Sequence, residues 1–426
     1  MSDAKLVAPA RSLRGSLRVP GDKSASHRAL MLSALADGQS TIVGLSSGHD
    51  VRATSMIVEL LGARFSIAGD HVLVEGPSAG LRASGSPLDC GNSGTTMRLM
   101  AGIVSGVAGR HVLVGDASLS KRPMDRVATP LRLMGAKVSG QGERLTAPLS
   151  IEGQTALRAI EYDVPVPSAQ VKSAVLFAGL QATGHTVVSE DVRTRSTTET
   201  MMRHAGLTLH SVEQGEGRTV TLTPGRPAPI SWHIPGDPSQ AAFFAVLGAI
   251  HSDAAIDVID IDDAPERVGF VEVLRRMGAN LVWHSNDTPT LHSESSALIG
   301  TEVFAKEIPS VDEVLVLTVA AAAATGLSVF RDMSELRVKE SDRFSGSMAL
   351  AAALGCRVWS EGDDFFVEGL GSAHAFQSFS LAGGLDHRMV MAGAVAALAG
   401  NGGTIEGTAA VESSYPEFFD DVDALQ

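Results

Sequence analysis

Five stretches of this chain repeat one local pattern. Residues 56–65, 131–138, 201–209, 271–282 and 348–358 each read as an apolar-periodic helix, a glycine, then a short alternating strand. The glycines are Gly62, Gly135, Gly206, Gly278 and Gly355. A glycine just past the last periodic residue predicts a helix C-terminus, because it enters the left-handed conformation at no steric cost. The 201–209 copy is the loosest. The copies recur roughly every 70 residues, far beyond a solenoid period, so each repeat must hold several elements. A βαβαββ unit fits that length, and the fold class is α/β.

Five copies imply a sixth. Residues 416–425 read as a final helix with no strand after it, and residues 12–19 read as a strand with no helix before it. We expect that strand to complete the last repeat, so that both termini share one domain. Three repeats per domain then follow. The first domain is expected over 21–235, and the second over 1–20 together with 236–426. Two strands would cross between them, near Pro20-Gly21 and near Pro235-Gly236-Asp237-Pro238.

A chain of 426 residues is too long for one small core, which agrees with two domains. Its formal net charge is -14 and aromatics make up only 4%. An acidic chain poor in aromatic residues is a poor partner for nucleic acid. Cys90 and Cys356 make neither a disulfide framework nor a zinc pattern, and they fit a reducing cytosol. No basic region followed by an apolar run marks a signal peptide. The longest apolar stretch, near 314–327, is too short for a bilayer and reads as a core helix. The 13 histidines show no HExxH and no paired metal spacing, so no metal is expected. A G-x-S-x-G elbow for acyl transfer is absent as well.

Against this acidic background, short cationic signatures recur. Lys23-Ser24-Ala25-Ser26-His27-Arg28 opens an apolar helix. Ser24 is placed to cap it, with Lys23 beside its positive end. A cation there is unhelpful unless an anion joins it, which favours a phosphate or carboxylate site over a plain cap. The Gly21-Asp22-Lys23-Ser24 run lacks the glycine spacing of a P-loop, which excludes a nucleotide triphosphatase. Gly91-Asn92-Ser93-Gly94-Thr95-Thr96-Met97-Arg98 is a glycine-rich turn running into a helix, where free N–H groups can hold an anion and Gly94 permits close approach. Alone, such a turn is common. Ser168-Ala169-Gln170-Val171-Lys172-Ser173 again sets small polar groups at a helix start, and a plain cap explains it equally well.

Arg122, before Pro123, and Arg195 are candidate forks, although a lone arginine is more often solvated. Lys339 and Arg343 are four apart, on one face if their segment is helical, with Glu340 between them. A solvated charge run is the bland reading of that segment. Asp386-His387-Arg388 precedes another apolar helix, and Asp312-Glu313 precedes a third. Carboxylates at helix starts are usually caps, but among so many cations one could act as a base. Small, multiply charged anions are the ligands these groups suit.

Together the signatures resemble the 5-enolpyruvylshikimate-3-phosphate synthase family, the 3-phosphoshikimate 1-carboxyvinyltransferases. Arg337-Val338-Lys339-Glu340-Ser341-Asp342-Arg343 and Gly91-Asn92-Ser93-Gly94-Thr95 carry the resemblance most specifically, and it runs from Lys23 to Tyr415-Pro416. It implies a two-domain enolpyruvyl transferase fold. Each domain would hold three βαβαββ units around a pseudo-threefold axis, with the active site in the cleft between domains and closure on ligand binding. It implies transfer of the enolpyruvyl group of phosphoenolpyruvate to the 5-hydroxyl of shikimate 3-phosphate, releasing phosphate through a tetrahedral intermediate, on the route to chorismate and aromatic amino acids. No cofactor, no nucleic acid and no membrane enter, and a cytoplasmic monomer is expected.

By the same resemblance, Asp312 is the base at the hydroxyl, while Glu340 and Lys23 handle protons at the enolpyruvyl group. Gly94, Arg122, Arg343 and Arg388 would contact phosphoenolpyruvate. Ser24, Arg28, Ser168, Arg195, Lys339 and Asp312 would contact shikimate 3-phosphate. Gln170 and Lys23 would lie between the two substrates, and Asp50 would position the cations. Two departures stand out. Many members carry a lysine where Ser413 stands here, and some carry a second serine where Ala169 stands. These features resemble the bacterial class II branch, which is often insensitive to glyphosate. Gly94, which is alanine in well-known tolerant members, leaves room for that inhibitor, so at least partial sensitivity is expected. The sister family, UDP-N-acetylglucosamine enolpyruvyl transferase, is the alternative. It usually has Lys-Asn at the first signature and a reactive loop cysteine, whereas Lys23 is followed by Ser24 and Cys90 reads as a buried residue.

Overall fold

The computed structural model describes every residue except 1–3, 70, 286, 287, 309, 383 and 385; residues 1–3 of the expected second domain therefore lie outside it. The chain divides into two compact units. One is continuous, Lys23–Ile234, and the other is split, Met1–Asp22 with Pro235–Gln426. Each has its own apolar core.

Strands β1 (Ala4–Val7) and β2 (Leu13–Leu17) open the split unit. The continuous unit follows as three repeats. Its first holds α1 (Lys23–Leu35), β3 (Gly38–Val43), α2 (His49–Leu60), β4 (Arg64–Ala68) and β5 (His71–Gly76). The second holds β6 (Leu88–Asp89), α3 (Gly94–Ser105), β7 (Gly109–Val114), α4 (Asp125–Leu133), β8 (Lys137–Gln141) and β9 (Thr146–Gly153). The third holds β10 (Glu161–Asp163), α5 (Ala169–Gly179), β11 (Thr186–Glu190), α6 (Thr197–His204), β12 (Leu209–Gln214) and β13 (Gly217–Leu222). Strand β14 (Ser231–His233) then returns to pair in parallel with β3, supplying the strand the first repeat lacks.

The split unit resumes with α7 (Pro238–Ile250), β15 (Ala254–Ile259), α8 (Gly269–Arg276), β16 (Asn280–His284) and β17 (Thr290–Glu294). Its next repeat is β18 (Glu302–Phe304), α9 (Val314–Ala323), β19 (Thr325–Arg331), α10 (Arg343–Ala353), β20 (Arg357–Glu361) and β21 (Asp364–Leu370). The last is β22 (Phe379–Ala382), α11 (His387–Ala399), β23 (Gly403–Glu406) and α12 (Phe418–Ala424). Five sheets share one order, as in β6-β7-β9-β8, with one parallel pair and two antiparallel pairs.

Strands β1 and β2 fall in the same unit as the last repeat, and the strand assignment differs from the expectation. Strand β2 pairs in parallel with β15 and so begins the fourth repeat. The strand that joins the last sheet is β1, antiparallel to β23 with Ala4 opposite Glu406. Only Val7 of β1 is buried, so the edge strand carries almost no alternation to read. Arg14 still meets the last helix, donating its backbone N–H to Leu425 O at 2.9 Å.

The five repeat glycines share one backbone geometry. Gly62, Gly135, Gly206, Gly278 and Gly355 have φ of 109°, 106°, 80°, 93° and 102°. Any side chain would be strained there, so each glycine ends its helix and turns the chain into the next strand. Helices α7, α9 and α11 are buried along their whole length and pack on one another. Helices apolar on every side belong in a core. Their N-terminal ends carry the polar residues that matter below.

Candidate active site

In the continuous unit the signatures sit at helix starts. Helix α1 begins at Lys23, whose Nζ lies 3.1 Å from Asp50 Oδ2 in the first turn of α2. Ser24 is inside the first turn rather than before it, so it does not cap the helix as expected. The chain turns helical as soon as it enters this unit. The Ser24 carbonyl instead accepts from Arg28 Nη1 at 2.9 Å. Arg28 is 4% exposed; its Nε donates to Thr198 Oγ1 at 2.6 Å and its Nη2 to Ser173 Oγ at 3.0 Å.

Helix α3 starts at Gly94 and is capped by Ser93, whose Oγ accepts from Thr96 N at 3.0 Å. A methyl group at Gly94 would lie 2.8 Å from Arg98 Nη1 and 3.2 Å from Arg122 Nη1, so two guanidiniums flank this helix start. Arg122 Nη2 donates to Asn92 Oδ1 at 2.9 Å, and Arg98 Nη1 donates to Gln170 Oε1 at 2.5 Å. Gln170 Nε2 reaches back to Thr95 Oγ1 at 3.0 Å. Ser168 caps α5, accepting from Val171 N at 3.4 Å. Arg195 is half-buried on the loop before α6. Helix N-termini and forked cations together make an anion-binding surface.

In the split unit one guanidinium organises everything. Arg343 opens α10 and is 1% exposed. Asp386 grips it as a fork, Oδ2 at 2.8 Å from Nε and Oδ1 at 3.0 Å from Nη2. Asp312 Oδ1 is 2.8 Å from Nη1, and Glu340 Oε2 is 2.8 Å from Nη2. Arg388 Nη2 stands 3.6 Å from the second oxygen of Asp312. Burial alone would raise the Asp386 carboxyl, but Arg343 beside it holds it well below the usual carboxylate range. Asp386 also caps α11 by accepting from Arg388 N at 3.0 Å and takes a bond from Ser341 Oγ at 2.7 Å.

Lys339 and Arg343 do not share a helical face. The chain is a 3-10 turn over Met333–Val338, is extended at Lys339, and becomes α-helical only at Arg343. Lys339 Nζ donates to Ser310 O at 3.0 Å and to Glu335 Oε1 at 2.8 Å. Asp312 does not cap α9. The residue before it, Val311, has φ 49°, a conformation costly for a β-branched side chain and typical of functional loops. Buried Glu313 anchors this loop by accepting from Ser239 Oγ and, at 2.8 Å, from Ser310 Oγ. Ser413 Oγ lies 3.1 Å from His387 Nδ1.

The chain matches the family model of EPSP synthase (3-phosphoshikimate 1-carboxyvinyltransferase) over residues 7–422. The chain belongs to the EPSP synthase family. Among curated relatives, the 3-phosphoshikimate 1-carboxyvinyltransferase of Streptococcus uberis is 39% identical over 430 residues, 99% of each chain. That of Lactococcus lactis is 39% identical over 432 residues, again 99% of each. A solved EPSP synthase from Acinetobacter baumannii superposes with TM-score 0.87 at 36% identity, covering 100% of this chain and 98% of that one. The enolpyruvyl transferase NikO from Streptomyces tendae has TM-score 0.78 at 17% identity, a likeness of fold alone. The chain is therefore an enolpyruvyl transferase of the shikimate pathway, and the nucleotide-sugar alternative is not favoured.

EPSP synthase membership leaves Cys90 without a chemical role. Burial pushes its thiol far up, away from the reactive thiolate. One residue of each cluster escapes sequence reasoning. The sequence marks Asp386 only as the opening of a helix, yet it grips Arg343 from 43 residues away. Arg98 stands four residues past Gly94, one helical turn on, and that spacing is the available signal.

Proposed function

We propose that this EPSP synthase joins phosphoenolpyruvate to the 5-hydroxyl of shikimate 3-phosphate through the residues of these two clusters. The observation that carries the assignment is Arg343. It is buried, held as a fork by Asp386, and shared by two further carboxylates, Asp312 and Glu340.

The chemistry needs two proton handlers of opposite character. Asp312, facing Arg343 and Arg388, takes the proton of the attacking hydroxyl. The hydroxyl oxygen bonds to C2 of phosphoenolpyruvate while C3 gains a proton from Glu340 or Lys23. The tetrahedral adduct then loses phosphate from C2 and a proton from the methyl carbon, which restores the double bond. An anion arriving beside Arg343 competes with Glu340 and adds like charge to it. Both effects push the Glu340 carboxyl toward its protonated form, as a proton donor requires. Arg122, Arg388, Gly94 and Gln170 serve the phosphoenolpyruvate side. Ser24, Arg28, Ser168, Arg195 and Lys339 serve the sugar phosphate. Asp50 orients Lys23 through the 3.1 Å ion pair. Preorganised positive charge offsets the repulsion between two anionic substrates.

Among the described residues no helix is long and apolar enough to cross a membrane. We take the enzyme to be a cytoplasmic monomer, and gel filtration tests its oligomeric state. The functional test is phosphate release from phosphoenolpyruvate with shikimate 3-phosphate, run beside UDP-N-acetylglucosamine and a Lys23→Met control. Release with shikimate 3-phosphate alone, lost in the control, is expected. Release with the nucleotide sugar alone, or with neither, would overturn the assignment.

A further inference from the structure

Lys172 has no role in this chemistry, yet the one cation of the α5 signature is fully buried. Its side chain is 0% exposed, and its Nζ lies 2.9 Å from Glu190 Oε1 and 2.8 Å from Glu199 Oε1. Both glutamate side chains are 1% exposed, and Arg218 Nη1 approaches Glu199 to 3.9 Å. Buried ion groups of this kind are often no more stabilising than apolar side chains of the same volume. Stability is thus a weak reason for placing one here, whereas direction is a strong one, because charge-assisted bonds fix orientation.

The group holds a loop on one side and an arginine on the other. Glu190 closes β11, and its carboxylate accepts from Thr194 N at 3.0 Å and from Thr194 Oγ1 at 2.6 Å. Lys172 Nζ reaches the Thr194 carbonyl at 3.5 Å. Thr194 is therefore gripped at its N–H, hydroxyl and carbonyl, and the next residue is Arg195. Beside Lys172 on α5, Ser173 Oγ lies 2.6 Å from Thr198 Oγ1, which neighbours Glu199 in sequence. Arg28 donates to both of those hydroxyls. Lys172 and Glu190 thus fix Thr194, the residue before Arg195, while Ser173 and Thr198, the sequence neighbours of Lys172 and Glu199, hold Arg28.

We infer that Lys172, Glu190 and Glu199 form a positioning element that aims Arg28 and Arg195 at the sugar-phosphate substrate and so sets its affinity. The inference rests on reading those arginines as contacts of shikimate 3-phosphate. A guanidinium recognises a phosphate as a fork only when its plane is fixed. None of the three cluster residues needs to touch the ligand.

Thr194 gives the cleanest test, because changing it strands no buried charge. Thr194→Val removes one bond to Glu190, and Thr194→Ser keeps it. Binding of shikimate 3-phosphate would be followed by calorimetry, with the KM for phosphoenolpyruvate and the melting temperature alongside. Thr194→Val is expected to weaken sugar-phosphate binding roughly tenfold and to leave the phosphoenolpyruvate KM within about twofold. Thr194→Ser is expected to restore binding. Arg195→Ala is the reference. If it weakens binding while Thr194→Val binds as the wild type does, the positioning role is overturned. If Arg195→Ala itself binds normally, the underlying reading of Arg195 falls instead. A loss in Thr194→Val that serine does not rescue also counts against positioning.

Discussion

A methyl group at Gly94 would meet side-chain nitrogens of Arg98 and Arg122 and no backbone within the closest contacts. Both are far ends of flexible side chains, so the fold tolerates alanine there while the two guanidiniums are displaced. Gly94→Ala is expected to melt within a few degrees of the wild type, raise the KM for phosphoenolpyruvate on the order of tenfold, and raise the glyphosate inhibition constant with it. Steady-state kinetics checks this, and an unchanged inhibition constant would defeat the steric argument. His27 offers a second test at this scale. It is fully buried with Nδ1 2.7 Å from Thr54 Oγ1, and burial, then Lys23 and Arg28, push its pKa well below 6.5. The folded state therefore keeps His27 neutral while the unfolded chain protonates near 6.5. Protons bind the unfolded state preferentially, so stability falls as pH drops below that value, by about 1.4 kcal/mol per unit for one such group. Between pH 7 and pH 5, His27→Asn should lose less stability than the wild type when both are unfolded in denaturant, and an equal loss would count against a neutral buried His27. Single residues are also where sequence reasoning reaches least far. Glu340 lies within the Arg343 signature, but the other two carboxylate partners of Arg343, Asp312 and Asp386, lie 31 and 43 residues away, and nothing local announces them.

Elements are far more legible. A helix followed by glycine and an alternating strand is a local signal, and local signals survive without tertiary knowledge. The cationic motifs at the starts of α1, α3 and α5 are readable for the same reason. Where the pattern weakens, so does the reading. Strand β1 buries one side chain and leaves no pattern to read, and Lys339 and Arg343, which would share a face only in a helix, are separated by non-helical chain between a 3-10 turn and α10. Helix contact distance is invisible as well. Gly102 on α3 has no unusual φ, yet a methyl group there would stand 2.2 Å from the Ala174 carbonyl oxygen on α5. Backbone cannot yield as a side-chain tip does, so Gly102→Ala must push apart a pair of core helices whose ends carry Gly94 and Gln170. A loss of about 3 kcal/mol is expected, read as a lower urea midpoint, together with weaker binding of both substrates. A variant as stable as the wild type would show that these helices can slide.

At the scale of the molecule, each unit owns a separate core, and only one is continuous in sequence. Residues 23–234 expressed alone are expected to give a cooperative melt and dispersed amide resonances without enzymatic activity. A molten fragment would mean that the unit depends on the rest of the chain. The split unit faces a different problem of timing. Strands β1 and β2 are synthesised ahead of the partners they need, β23 and β15, because the whole continuous unit is made in between. Closing so long a loop from a disordered chain costs entropy. A continuous unit that has already folded changes the distance to be searched. Asp22 N bonds Pro235 O at 2.8 Å and Asp237 N bonds Pro20 O at 2.9 Å, so the entering and leaving strands run side by side. Once that clasp forms, the residues of the continuous unit no longer count as slack between β2 and β15. The inserted unit then works as an internal chaperone of geometry, holding an early-made segment next to the place where its late-made partner will emerge.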